Sequence, residues 1–258
     1  MANIKIIGSC SGTEPLLNKH HTSVLLTVNG SNYFFDAGEN CSRLAHLGGD
    51  DLLSTRAVFI SHTHYDHIGG LCGLFWNIRK LCKVNKKAPT YQDILLFMPE
   101  LSVWESIKNI LANTEGGFFE DINFKVTANS VAQGLVYEDE NVKVFAYPTQ
   151  HLKAKDGSCL SFSYRIELGG RSVVYSGDYA SVCDLDLSVK DDCDYLLAET
   201  GHHKVKDVCD YAEKRFVKEL VFYHHGREIL EDRESAKTAI NSCNIKTTIS
   251  TDGTIINL

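Results

Sequence analysis

Residues 62 to 67 read His62-Thr63-His64-Tyr65-Asp66-His67, three imidazoles and one carboxylate within six positions. Imidazole nitrogen together with a carboxylate suits zinc, and equally manganese or iron. The preceding run Ala57-Val58-Phe59-Ile60 is short, β-branched and aromatic, so it reads as a buried strand. The cluster therefore stands where a strand gives way to a loop. His62 and His64 are two apart and share a side in extended chain. Asp66 and His67 turn with the loop, so one segment can face two neighbouring metal positions.

Two metals need further ligands, and these should also stand at strand ends. His151 follows a strand read at 142–147, after Pro148. Asp178 follows a strand at 172–175, within Ser176-Gly177-Asp178. His224 and His225 directly follow a strand at 220–223, and one of the two is expected to be a ligand. Four strand ends delivering polar side chains to one rim argue more strongly than any one of them.

The elements that must present these residues are legible in outline. Residues 22–28 and 33–35 flank Asn29-Gly30-Ser31 and read as a hairpin with a tight turn. A turn-rich stretch, Asp36-Ala37-Gly38-Glu39-Asn40, follows, then a short helix at 41–47 closed by Gly48-Gly49. Leu71, Leu74, Phe75, Ile78 and Leu81 have helical spacing within 68–81. A strand at 94–98 leads to Pro99, which opens a helix with Val103, Ile107, Ile110 and Leu111 on one face. Strands follow at 122–126, 142–147, 160–166 and 172–175, the last two joined by Gly169-Gly170. A helix at 204–216, the strand at 220–223, a helix at 235–241 and two small strands around Asp252-Gly253 complete the chain. The second half loosely repeats the first, which predicts two sheets packed face to face with helices outside.

The 258 residues, 43% of them hydrophobic, suffice for one large α/β domain spanning 1–258. The first residues read as a strand and lack the basic flank and apolar core of a signal peptide. No stretch approaches the roughly 20 apolar residues of a membrane span. Nine cysteines without a Cys-x-x-Cys pair point to buried thiols in a reducing compartment, so a cytoplasmic location is expected. A net charge of −7 argues against a protein that grips nucleic acid mainly through phosphates. The one basic stretch, Arg79 to Lys87, is either a solvated helix end or a patch for a polyanionic substrate.

The set His62-x-His64-x-Asp66-His67, His151, Asp178 and His224, preceded by Asp36, resembles the metallo-β-lactamase superfamily over nearly the whole chain. The resemblance is nearest to ribonuclease Z and its phosphodiesterase relatives. Gly8-x-x-x-Gly12-Thr13-x-Pro15 with His21-Thr22-Ser23 resembles the N-terminal loop of that branch, and Phe35-Asp36-Ala37-Gly38-Glu39 its Asp-x-Gly-Glu turn. Ala198-Glu199-Thr200-Gly201-His202, ahead of Leu220-Val221-Phe222-Tyr223-His224, resembles its later segments. That alignment selects His224 over His225 and His202 over His203.

The resemblance implies a four-layer αββα sandwich with two divalent ions, zinc first and manganese or iron as substitutes. It assigns His62, His64 and His151 to one metal, Asp66, His67 and His224 to the other, and Asp178 to both. Asp36 would orient a ligating histidine. A metal-bridged hydroxide would attack the electrophile, with Asp66 among the catalytic groups and His202, backed by Glu199, protonating the leaving oxygen. His20, His21, Lys153 and Lys155 could line the mouth. Only residues 152–177 separate His151 from Asp178, so the long arm with which ribonuclease Z grips transfer RNA is absent. The expectation is a metal-dependent phosphodiesterase acting on a small or nucleotide-like phosphodiester. The alternatives are a thioester or lactone hydrolase like glyoxalase II, and a transfer-RNA 3′-processing endonuclease with a reduced arm. Family habit also suggests a homodimer.

Overall fold

The structure is a computed structural model that describes residues 2–258. The chain divides into two compact units, one comprising residues up to Gly8, Asn18–Ser130 and Asp252–Leu258, the other Ser9–Leu17 and Val131–Thr251.

The first unit holds strands β1 (Ala2–Gly8), β2 (Ser23–Val28), β3 (Ser31–Phe35), β4 (Thr55–Phe59), β5 (Asp93–Met98), β6 (Lys125–Ser130) and β14 (Ile255–Asn257). They form one sheet in the order β14-β1-β2-β3-β4-β5-β6. Asn29 and Gly30 turn β2 into β3 with φ of 49° and 84°, the doubly left-handed backbone that matches strand twist in a two-residue hairpin. From β3 onward the pairing is parallel. The connections carry helices α1 (Cys41–Leu47), α2 (Tyr65–Ile68), α3 (Leu71–Asn85) and α4 (Leu101–Ala112). Leu71, Leu74, Phe75 and Ile78 of α3 are fully buried against Phe34, Val58 and Leu96 of the sheet. Burying each such side chain contributes about 1.5–3 kcal/mol.

Three details differ from the sequence reading. The strand expected at 122–126 lies at Lys125–Ser130. The helix expected at 68–81 is split, because Gly69 and Gly70 separate the single turn of α2 from α3. In α4 the buried face is Trp104, Ile107 and Leu111, whereas Ile110 is 60% exposed. The large indole at 104 takes the core position, and the helical period then turns 110 outward.

The second unit holds β7 (Gly134–Glu138), β8 (Lys143–Pro148), β9 (Phe162–Leu168), β10 (Arg171–Tyr175), β11 (Tyr195–Glu199), β12 (Glu219–Tyr223) and β13 (Lys246–Ile249), in the order β13-β12-β11-β10-β9-β8-β7. Its helices are α5 (Asp186–Val189), α6 (Val205–Lys214), α7 (Arg227–Glu231) and α8 (Arg233–Asn241). Val205, Val208, Cys209 and Ala212 of α6 pack on Leu196, Ala198, Leu220 and Phe222. The two sheets repeat one plan: three antiparallel pairings followed by three parallel ones. The two small strands at the end of the chain do not pair with each other: β13 joins β12 and β14 joins β1. Among the described residues no helix is long and apolar enough to cross a membrane.

Candidate metal centre

In each unit the candidate residues stand at or just beyond the carboxyl ends of strands of one sheet. This is where open α/β sheets expose loops to ligands.

In the first unit, Asp36 follows β3 and is fully buried. Its Oδ1 accepts the Ser61 N–H at 2.6 Å, and its Oδ2 accepts the Ser61 hydroxyl at 2.7 Å. The same Oδ2 lies 2.7 Å from His67 Nδ1. A carboxylate can only accept, so Nδ1 carries the proton and Nε2 presents its lone pair. Asp36 is held at φ 58°, a left-handed conformation that aspartate tolerates better than most residues. His62 and His67 are fully buried, their ring centroids 4.0 Å apart. His62 Nε2 faces His64 Nδ1 at 3.0 Å, and His67 Nε2 lies 3.3 Å from Asp66 Oδ2. Two glycines let the backbones close on this segment: a Cβ at Gly38 would lie 2.5 Å from the Asp66 carbonyl oxygen, and one at Gly70 would lie 2.2 Å from the Gly38 carbonyl oxygen. Ser61 was not singled out in the sequence, although it immediately precedes His62.

In the second unit, Asp178 after β10 is 2% exposed. Its carboxylate oxygens lie 3.6 Å from His151 Nε2 and 3.5 Å from His224 Nε2. His224, after β12, is also left-handed, at φ 49°. The backbone carbonyl of Asp178 accepts the Thr149 hydroxyl at 2.8 Å, which ties the His151 loop to the end of β10. Of the adjacent histidines, His225 is committed elsewhere, with Nε2 on the Ser250 carbonyl at 2.8 Å. His203 is committed too: Nε2 donates to the Tyr179 carbonyl at 2.8 Å and the ring stacks on Tyr179 at 4.1 Å.

His202 is half exposed and leans on Glu199, which is fully buried at the end of β11. Glu199 Oε1 lies 3.2 Å from His202 Nδ1, and Oε2 accepts the His202 backbone N–H at 3.0 Å. The Glu199 carboxylate raises the His202 pKa above its ordinary value, against the opposing effect of burial. Burial pushes Glu199 the other way, but hydrogen bonds from His202 and His224 outweigh it and hold the carboxyl well below the usual range.

The donor sets fit divalent ions. Tetrahedral bonds of about 2.1 Å put ligand atoms about 3.4 Å apart. The His151–Asp178 and Asp178–His224 spacings of 3.6 and 3.5 Å match that edge and are too long for good hydrogen bonds.

The remaining expectations fall as follows. His20 Nδ1 pairs with Asp252 Oδ2 at 2.8 Å, and His21 Nδ1 lies 3.8 Å from Glu39 Oε2. Lys153 and Lys155 are exposed on the short 153–159 turn. In the basic stretch Arg79 bonds Glu115 and Asp121 at 2.8 Å each, Lys80 bonds Glu115 at 2.9 Å and Lys83 pairs with Asp121. Three of its five cations thus meet carboxylates of their own unit, which favours the structural reading of that stretch over a substrate patch.

The family model described as "Anti-Pycsar protein Apyc1" matches residues 2–243. Ribonuclease Z of Methanococcus aeolicus is 30% identical over 178 residues, covering 64% of this chain and 52% of that protein. The chain spans about half the length of the first curated relatives it matches. Among solved structures, the metallo-β-lactamase fold protein YhfI from Bacillus subtilis superposes with a TM-score of 0.75 at 16% identity, over 99% of this chain and 98% of that one. Human tRNase Z, short form, superposes with a TM-score of 0.73 at 18% identity, over 99% and 98% of the two chains. The fold is therefore the metallo-β-lactamase fold, as the ligand pattern led one to expect, and the sequence relatives are of the ribonuclease Z kind.

Proposed function

The chain belongs to the Anti-Pycsar protein Apyc1 family, and we propose that it is a metal-dependent phosphodiesterase acting on small, nucleotide-like phosphodiesters. The ribonuclease Z relatives and the metallo-β-lactamase fold support a metal-dependent hydrolase. In this reading His62, His64 and His151 hold one divalent ion, Asp66, His67 and His224 hold a second, and Asp178 serves both. Zinc suits the imidazole-rich set, with manganese or iron as substitutes. Such ions would supply an activated water and neutralise the non-bridging phosphate oxygens.

The chain's own residues would do the rest. Asp36 keeps His67 in one tautomer and one orientation. Asp66, beside His67, supplies a carboxylate at the reacting centre. The observation that carries the phosphodiesterase reading is the Glu199–His202 pair, with His202 Nδ1 3.6 Å from Asp178 Oδ2. Glu199 holds the Nδ1 proton and favours the imidazolium, so Nε2 can deliver a proton to a departing alkoxide. Thioester hydrolysis has less need of this, because a thiolate leaves readily. The Leu152 to Gly177 stretch contains only the short turn at 153–159 followed by the hairpin of β9 and β10, which favours a small substrate over transfer RNA.

The test is turnover of bis(p-nitrophenyl) phosphate against S-lactoylglutathione by zinc- or manganese-loaded protein. Metal-dependent cleavage of the phosphodiester, with little thioesterase activity, is expected. Thioester cleavage without phosphodiester cleavage would overturn the assignment.

A further inference from the structure

Tyr65 stands between His64 and Asp66, yet its side chain has no part in the donor set. It is 71% exposed. As the first residue of α2, its carbonyl accepts the Gly69 N–H at 2.7 Å. Its ring lies on the Gly69 backbone: a Cβ there would come within 2.9 Å of Tyr65 Cε1 and 3.0 Å of Cζ. The ring is thus supported from below by a residue with no side chain, and most of its surface faces solvent. A large aromatic surface left open beside chemically active side chains is suited to planar groups, since any nucleobase can stack on it.

Beyond Gly69 the surface continues as a groove of about 530 Å³ between α1 and α3. Its walls include Asn40, Arg43 and Asn77 alongside Leu47 and Leu81. That volume lies within the range of small-ligand sites, roughly 300–1,000 Å³. Leu47, Leu81 and Val84 give the groove apolar wall, and Glu39, His46 and Lys80 add donors and acceptors to the amides and the guanidinium, a lining that suits a heterocycle with polar edges better than an aliphatic chain.

We propose that Tyr65 is a specificity-determining residue, on which the base of a nucleotide-like substrate stacks with its polar edge toward the Asn40–Asn77 groove. This rests on the phosphodiesterase reading and adds to it the residue that selects base-bearing substrates.

Two esters with the same leaving group separate recognition from chemistry: thymidine 5′-(p-nitrophenyl phosphate) and methyl p-nitrophenyl phosphate. Tyr65→Ala should lower kcat/KM for the thymidine ester roughly ten-fold or more, through KM. It should leave the methyl ester within about two-fold, with metal content unchanged. Tyr65→Phe keeps the ring and should behave as wild type. Parallel losses on both esters, or no loss on either, would overturn the proposal. If the wild type cleaves neither ester, the phosphodiesterase reading fails. Calorimetric binding of thymidine monophosphate then decides for Tyr65: weaker binding by Tyr65→Ala supports the platform, and equal binding refutes it.

Discussion

Asp36 and His67 share a 2.7 Å hydrogen bond with neither side chain exposed to solvent. Asparagine at 36 tolerates the same left-handed backbone but brings an amide where Ser61 and His67 need acceptors. Asp36→Asn is therefore expected to weaken metal retention about 10–100-fold while the protein stays folded. Chelator competition followed by metal analysis, with circular dichroism as the control, measures it. Unchanged retention would remove Asp36 from the site.

His202 is half exposed and braced by Glu199, the environment of a proton donor. His202→Ala should lower phosphodiester turnover by about 10²–10⁴-fold and leave metal content intact. Loss of metal in that variant would make His202 a ligand, in keeping with its 3.6 Å approach to Asp178.

Asp194 anchors the start of β10. It accepts the Ser172 N–H at 2.8 Å and the Lys218 ammonium at 2.6 Å. Burial pushes its carboxyl up, but Lys218 and Ser172 bring it below its ordinary value. A depressed pKa adds stability above the unfolded value, and that stability is lost as pH falls through the folded one. Asp194→Ala should cost about 1–3 kcal/mol in urea unfolding at pH 7, through the lost Lys218 ion pair together with the unpaired Ser172 N–H. The gap to wild type should narrow below about pH 4, and a gap that is constant with pH would contradict this.

Cys41 and Cys193 are fully buried, and burial pushes both thiols up to about 12. Cys183 is exposed. Because the thiolate is the reactive form, an aromatic disulfide reagent at pH 8 should label Cys183 in the native protein. Cys41 and Cys193 should react only after denaturation. Peptide mapping distinguishes the sites, and early labelling of Cys41 would contradict the packing of α1.

The candidate site residues are plain in the sequence, whereas parts of the frame around them are not. Four ligand-type residues within 62–67 are too dense to miss, and His151, Asp178 and His224 each follow a strand that reads clearly. Strand β11 has no sequence signature of its own because Tyr195-Leu196-Leu197-Ala198-Glu199 shows no alternation, being buried on both faces between two parallel neighbours. The Asp36–Ser61 bonds and the carboxylates facing Arg79 were invisible for another reason. Their partners lie 25, 36 and 42 positions apart, and no local pattern encodes such pairs.

The crossing of Gly38 and Gly70 bears on how this scaffold can diversify. Two loops touch there through main chain alone, so neither position can accept a side chain without parting them. Variation that alters substrate choice is therefore steered to neighbours whose side chains are exposed, such as Glu39 and Tyr65, while the frame beneath stays fixed. Libraries randomised at those two positions should yield folded variants far more often than libraries that include 38 or 70.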